Sequence, residues 1–230
     1  MNKLKHVFVA LALAAFTFAS DRVEAETQGP RQMIDRFHAT LLAAARDSAL
    51  GYSGRYGRLM AEVERTFHLP VMTQVSAGNF WNDAQALHRR ALIAAFAHYG
   101  VSLLARNFSG DGIERFETTG EQIGPQNTVL VDARIVRKTG SDIHITYVLK
   151  PQADAWRAVD VVFGKGISKL AFRRSEFSHQ LANGGLPALT AALDDKADEL
   201  AKADSRVEQT ANRKDRRFPP AALAGQPAEL

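Results

Sequence analysis

The spacing of the apolar residues changes once along this chain, near Gly110, and that change limits the folds that the chain can adopt. Before Gly110 apolar residues recur every three or four positions, which is the spacing of amphipathic helices. After it they alternate with polar residues, as in strands that bury one face. Further helices, broken at Gly184-Gly185, follow from about residue 167. Helices, then a sheet, then helices predict an α+β fold, because α/β folds alternate the two elements.

The first half of the chain predicts four helices. Residues 30–46 and 56–67 have the spacing of amphipathic helices, and the glycines of residues 51–57 predict a break between them. A short third helix is predicted up to residue 78. The longest helix is expected over residues 84–107.

The second half predicts an antiparallel sheet of about four strands. Apolar and polar residues alternate over 129–135, 143–149 and 157–163, and a weaker strand is predicted over 113–123. The turn-rich segments between the three clear strands are short. Short connections place consecutive strands side by side and antiparallel.

Positive charge at the amino terminus precedes a run over residues 7–19 that is apolar except for Thr17. This is the layout of a secretory signal, and the run is shorter than the roughly 20 residues that cross a bilayer. Small residues before Glu26 offer a cleavage site. We therefore expect residues 1–25 to be a signal peptide and the protein to be exported to the periplasm.

The expected domain covers residues 26–200, and residues 201–230 are predicted to be a flexible charged tail. The tail mixes charged residues with alanine, glycine and proline and lacks the apolar spacing of a packed helix. It contains a basic cluster at 213–217 that could contact anionic lipid headgroups or a partner. Solvated tail charge is the simpler interpretation of that cluster.

The sequence lacks the residues and motifs that several kinds of chemistry require. The absence of cysteine excludes disulfides, thiolate metal sites and a cysteine nucleophile, and a net charge of +4 is too small to indicate nucleic acid. No two of the seven histidines lie three or four positions apart, and there is no phosphate-binding loop or nucleophile elbow. We expect no catalytic residue, no metal, no cofactor and no nucleic-acid partner.

Asp160 is a carboxylate on a predicted strand, on the same side as Trp156 and Val162. We expect it to have a structural role, paired with Arg174 from the helix that follows. One alternative is a small pocketed enzyme in which His144 and Asp160 form an acid–base pair, although His144 is predicted on the more polar face of its strand. Another alternative is a scaffold with a filled, dry core.

Two blocks of sequence resemble a family of exported phospholipid carriers. The first comprises Phe67-His68-Leu69-Pro70-Val71-Met72, Gly78-Asn79-Phe80-Trp81-Asn82-Asp83-Ala84 and Arg89. The second comprises Trp156-Arg157-Ala158-Val159-Asp160-Val161-Val162, Gly166-Ile167-Ser168 and Arg174-Ser175-Glu176-Phe177. Over about residues 33–193 the chain is similar to the MlaC, or toluene-tolerance auxiliary, family of the Mla outer-membrane lipid-asymmetry pathway.

The chain departs from that pattern at a few positions. His68 stands where the family usually has Asp, His88 where it has Gln, and Val159 where it has Tyr. The run of residues 167–177 looks more like HpnM, the branch of the family associated with hopanoid biosynthesis.

The resemblance implies a helix-covered antiparallel sheet around an apolar pocket that holds lipid tails while the headgroup stays in water. It implies a non-enzymatic periplasmic carrier of a phospholipid, or of a hopanoid or other isoprenoid lipid. The implied partners are an inner-membrane lipid transporter and an outer-membrane complex. From periodicity, the side chains expected to line the pocket are Phe96, Tyr99, Leu103, Ile143, Ile145, Tyr147, Val159, Val161, Phe163 and Leu170.

Overall fold

The structure is a computed structural model, and the part of the chain that it describes comprises residues 28–108, 112–153, 155–164 and 166–217. The predicted signal peptide lies outside the described residues, as do residues 218–230. None of the described helices combines the length and the apolar character that crossing a bilayer requires.

The amino-terminal half is helical, as the spacing predicts. Its elements are α1 (Pro30–Arg46), α2 (Tyr52–Thr66), α3 (Leu69–Ala77), a 3-10 turn (Gly78–Trp81) and α4 (Ala86–Asn107). The predicted break at 51–57 is wrong beyond residue 51, because α2 begins at Tyr52 and runs through Gly54 and Gly57. Buried Tyr52 and Arg55 pack this first turn against the body of the protein, which outweighs the low helix propensity of the two glycines.

The sheet is a meander of five antiparallel strands in sequence order. The strands are β1 (Ile113–Gly124), β2 (Thr128–Arg137), β3 (Ile143–Gln152), β4 (Ala155–Phe163) and β5 (Ile167–Ser168). The sheet and the α+β class agree with the prediction of about four strands, and the two-residue β5 is the additional strand. It pairs with the end of β4.

The register of the sheet puts one apolar row of β2, β3 and β4 on the inner face. Tyr147 of β3 lies opposite Val131 of β2 and Val161 of β4. A bulge then interrupts the pairing of β3 with β4, since Val148 is opposite Asp160 whereas Leu149 is opposite Ala158. The strict alternation predicted for β4 therefore fails at the residue between them.

The last helix, α5, covers Lys169–Arg217 and has a kink at Gly184 and Gly185. Gly185 has φ +62°, a left-handed conformation that favours glycine, and the predicted break between two helical segments is confirmed there.

Residues 201–217, predicted as part of a tail, belong to α5. Asp204 forms an ion pair with Arg55 of α2, with 2.6 Å between Oδ2 and Nη2, and their side chains are only 12% and 10% exposed. This long-range contact fixes the helix to the domain at a point where the local sequence has no apolar stripe. The side chains of the basic cluster at 213–217 are outside the described part of the chain.

The buried apolar residues form two clusters. The sheet-side cluster lies between the inner face of the sheet and α1, α2 and α4, and includes Ile34, Phe37, Leu59, Val131 and Tyr147. The helix-side cluster lies among α3, α4 and α5, and consists of Ala77, Leu92, Ala95, Phe177, Leu181, Leu186, Leu189 and Leu193.

Candidate functional site

A cavity of about 620 Å³ lies between the inner face of the sheet and the helices. Its sheet wall consists of Ile135, Ile143, Ile145, Tyr147, Val161 and Phe163. The helical wall includes Phe37, Leu41, Val63, Phe67, Leu69, Met72, Phe96, Leu103, Leu104 and Leu170. The volume is within the range of roughly 300–1,000 Å³ in which proteins hold small molecules, and most of the walls are aliphatic or aromatic.

The cavity opens to solvent at one end of the sheet. Exposed residues in its wall are Asn107, Gly112, Arg137, Thr139 and Phe163, which belong to segments at the end of α4, the start of β1, the β2–β3 connection and the end of β4. Lys169 and Arg173, from the first turns of α5, also line the cavity. We call this the polar end, because the three basic residues of the lining belong to it.

One polar contact lies behind the apolar wall, away from the polar end. The hydroxyl of Tyr147 is 3.0 Å from Nε2 of His38 in α1, and the imidazole stacks on Phe116 with ring centroids 4.4 Å apart. Burial lowers the pKa of His38 to about 4 and raises the pKa of Tyr147. Both groups are therefore neutral near pH 7, and neither adds a charge to the cavity wall.

Most of the predicted pocket residues line the cavity. They are Phe96, Leu103, Ile143, Ile145, Tyr147, Val161, Phe163 and Leu170. The structure places the other two predicted residues outside the cavity lining. Tyr99 faces α5, where its ring centroid is 4.8 Å from the guanidinium carbon of Arg173. Val159 is the extra residue of the β4 bulge and is buried outside the cavity wall.

Sequence reasoning did not assign the part of the wall that α1 to α3 contribute. Phe37 and Leu41 are on the apolar stripe of α1, so their burial was predictable from the spacing. Phe67 and Met72 are within the first resemblance block, yet nothing local indicates that they face the sheet. The basic residues of the polar end come from two separate elements, and no motif joins them.

The predicted pair between Asp160 and Arg174 is not formed. The carboxylate of Asp160 accepts hydrogen bonds from the Ser168 hydroxyl at 2.5 Å and from the Leu170 backbone N–H at 3.3 Å. It thereby satisfies a free N–H group in the first turn of α5. The guanidinium of Arg174 lies instead against Gly78, where an added Cβ would be 3.0 Å from Nε. The structural role predicted for Asp160 stands, with a different partner.

The alternative acid–base pair of His144 and Asp160 is not assembled either. Asp160 is opposite Val148 in the sheet, four residues along β3 from His144. At a rise of roughly 3.3 Å per residue, the two positions are about 13 Å apart. His144 is also exposed. Within the described residues, no group of three or more His, Asp or Glu side chains is arranged to hold a metal ion.

Comparisons with known proteins agree with this architecture. The family described as MlaC protein matches residues 31–195. A phospholipid-binding protein from Ralstonia solanacearum, solved in complex with a phospholipid, has a TM-score of 0.65 to this structure. The likeness covers 76% of this chain and 99% of that chain at 14% sequence identity, which shows a shared fold. A comparison with curated protein sequences gives no significant match. The chain therefore belongs to the MlaC family.

Proposed function

We propose that this protein is a periplasmic lipid carrier that holds the acyl chains of a phospholipid in its cavity and moves the lipid between the inner and outer membranes. The observation on which the proposal depends is the apolar cavity of about 620 Å³ with one polar, open end. The Ralstonia solanacearum protein with the same fold was solved with a phospholipid bound, which supports the same ligand class here.

The apolar walls suit the tails of such a ligand. Each methylene group kept out of water contributes about 0.8 kcal/mol, so an acyl chain that left a bilayer for water would lose most of its stabilisation. Aliphatic side chains such as Leu41, Leu103 and Ile145 give the tails an apolar environment similar to the bilayer interior. A carrier also has to release its lipid, and an apolar wall without specific polar contacts to the tails allows exchange in both directions.

The polar end suits the headgroup. Arg137 and Lys169 lie on different elements at that end, and either cation can approach a phosphodiester there. The headgroup would then stay in contact with water while the tails point towards Tyr147 and His38. No chemical step is needed for this activity, so a catalytic group is not required.

The lipid class is the finer part of the proposal. The likeness of residues 167–177 to the hopanoid-associated branch favours a triterpenoid as the main alternative to a phospholipid. Transfer to an inner-membrane transporter and an outer-membrane complex is likewise proposed from the family resemblance.

The test is direct analysis of what the protein carries. The protein is purified after export from the producing cell without detergent, denatured and extracted with organic solvent, and the extract is identified by mass spectrometry. We expect phospholipid at close to one molecule per chain, whereas a triterpenoid would change the proposed ligand. An empty extract, repeated after incubation with phospholipid vesicles, would contradict the carrier function.

A matched pair of variants locates the ligand. Leu103→Asp places a charge in the cavity wall, and we expect it to abolish most of the bound lipid because a buried carboxylate is costly beside acyl chains. Ile123→Asp makes the same type of change at a position that is 91% exposed at the far end of β1. We expect this control to keep its lipid. Thermal melting of both variants shows whether the Leu103→Asp protein is folded.

A further inference from the structure

A group of exposed apolar side chains lies beside the polar end of the cavity. Ile167 is 64% exposed, Phe172 is 53% exposed and Phe163 is 36% exposed. Together with Lys169 they border a second, shallower depression of about 250 Å³. We call these four residues the apolar rim. Exposed apolar side chains that adjoin one another commonly mark a surface that contacts a partner or a membrane.

The local fold holds the apolar rim in place. Phe163 and Ile167 are directly paired across β4 and β5, and Gly164 and Gly166 on either side of the turn have φ +53° and +99°. Phe172 projects from the first turn of α5. The ammonium of Lys169 lies 5.1 Å from the centre of the Phe172 ring. The apolar rim is therefore formed by the β4–β5 hairpin and by the start of α5, which follows β5 directly in the chain.

The apolar rim is continuous with the cavity wall. Phe163 and Lys169 border both the cavity and the shallower depression. A surface that covered the apolar rim would therefore also cover the open end of the cavity. A lipid that moved between that surface and the cavity would not have to cross water.

The charge at this end of the protein is positive. Lys169 has no carboxylate within 4.0 Å among the described residues. The guanidinium of Arg137 donates from Nε to the carbonyl oxygen of Ser141, and the nearby carboxylate of Asp142, which accepts from the Arg137 backbone N–H, is paired with Arg134. Arg173 is paired with Glu176, which also accepts from Lys196. Exposed apolar side chains between basic groups match a membrane surface with anionic headgroups, since the apolar parts enter the acyl boundary and the cations stay at headgroup level.

We propose that the apolar rim inserts into a membrane surface that contains anionic phospholipids, and that this contact places the open end of the cavity against the bilayer. The proposal rests on the proposed carrier function, because it describes how the carrier reaches its lipid. Ile167 and Phe172 supply the apolar contact. Lys169, with Arg137 close by at the same end, supplies the attraction to negative headgroups.

The test is flotation of the exported protein with vesicles made of equal parts phosphatidylglycerol and phosphatidylcholine, and with vesicles of phosphatidylcholine alone. The amino terminus of the product is determined by mass spectrometry, because a retained apolar run at residues 7–19 would itself bind vesicles. We expect binding to the mixed vesicles, and weaker binding to phosphatidylcholine alone. Phe172→Ser and Ile167→Ser should each weaken binding about tenfold, and Lys169→Gln about fivefold.

Ile123→Ser is the matched control, because it removes an apolar side chain that is 91% exposed at the opposite end of the sheet. It should leave vesicle binding unchanged. Equal binding by the control, the rim variants and the unchanged protein would overturn the proposal, as would a protein that does not bind the mixed vesicles. If the rim variants lost lipid transfer only in the presence of another protein, the rim would be a protein contact and the proposal would be wrong.

Lipid extraction from the same preparations separates this proposal from the carrier function. Ile167→Ser and Phe172→Ser proteins that keep one lipid per chain but float poorly support membrane docking, since neither side chain lines the cavity. A lipid-loaded protein that does not bind vesicles would overturn membrane docking and leave the carrier function intact. A protein that binds vesicles through its rim but holds no lipid would contradict the carrier function instead.

Discussion

The helix-side cluster and the sheet-side cluster contain the same kinds of apolar residue, yet the cavity of about 620 Å³ is lined by residues of the second cluster and by none of the eight residues of the first. In the helix-side cluster, leucines of α5 pack on α4 and α3, where Ala77 and Ala95 are almost fully buried. Small residues at those positions let helices approach until their side chains interdigitate.

The sheet-side cluster is held apart by aromatic contacts. Phe37 meets Phe67 edge to face at 5.1 Å between centroids, and it meets Tyr147 in the same manner at 6.3 Å. The three rings pack against one another. Because the rings lie between α1 and the sheet, they keep the helices and the sheet apart around the cavity. Both clusters therefore bury apolar side chains that stabilise the fold, and the sheet-side cluster in addition borders the space in which a ligand can be held.

The largest expected effect contrasts a side chain of the helix-side cluster with a side chain that lines the cavity. Phe177 is 2% exposed and packs against Phe96, so Phe177→Ala should lower the free energy of unfolding by roughly 3–5 kcal/mol. Leu103 already borders the cavity, so Leu103→Ala leaves no new void in a filled region and should cost less than about 2 kcal/mol. Urea unfolding of the lipid-free proteins measures both. Equal losses would mean that the sheet-side cluster is filled in solution.

The second prediction concerns the contact that joins the end of α5 to α2. Arg55 donates to the carbonyl oxygen of Ala105 at 3.0 Å as well as to Asp204, so Arg55→Met should cost about 3 kcal/mol by leaving a nearly buried carboxylate unpaired. Arg58 is the control on the same helix, since its pair with Asp47 is exposed and 3.7 Å long. Arg58→Met should change the unfolding free energy by less than about 1 kcal/mol. Similar losses in both variants would contradict the anchoring role of Asp204.

The sequence predicted the order of the elements because periodicity reports which face of each element is buried. It did not predict where an element departs from its regular pattern or extends beyond it, because those features depend on contacts between residues that are distant in the chain. The bulge beside Val159 inserts one residue into a strand whose apolar residues otherwise alternate. Residues 201–217 have no apolar stripe, and their helix is fixed through Asp204 to a side chain 149 positions away.

The candidate site shows the same limit. Periodicity puts Ile145 and Val161 on the inner face, where both line the cavity, because a sheet has only two faces. Tyr99 instead lies against Arg173 of α5. A helix such as α4 contacts neighbours on several sides, and its sequence does not say which neighbour borders a cavity. The polar end combines Arg137 with Lys169 and Arg173, and only the folded meander brings the end of β2 close to the start of α5.

The third prediction tests the polar contact behind the sheet-side cavity. The pKa of His38 is about 4 in the folded protein, below its ordinary value of 6.5, so the unfolded chain takes up the proton first as pH falls. The contribution of neutral His38 to stability is complete above about pH 6.5, and roughly 2–3 kcal/mol of it is lost as pH falls towards 4. Urea unfolding at a series of pH values measures the slope. His38→Gln cannot titrate and should flatten it, and an unchanged slope in that variant would assign the acid sensitivity to other groups.

Gly100→Leu has the smallest expected effect on stability. It is also the most direct test of the comparison, because the added side chain would occupy part of the cavity. Gly100 lies in α4 and lines the cavity, and a Cβ added there would meet no atom within 4 Å. Gly100→Leu should therefore raise the unfolding free energy of the lipid-free protein by about 1 kcal/mol through helix propensity and added apolar contacts. It should also lower the amount of co-purified lipid to less than half.

Gly57 provides the control for this last change. It lies within α2, is exposed, and has equally open space at its Cβ position, but it does not border the cavity. Gly57→Leu should gain a similar helix propensity and keep its lipid. If Gly100→Leu also kept its full complement of lipid, the ligand would bind elsewhere on the protein, and the unfilled space in the sheet-side cluster would need another explanation. If Gly100→Leu lost stability instead, the walls of the cavity would be closer together in solution than they are in this structure.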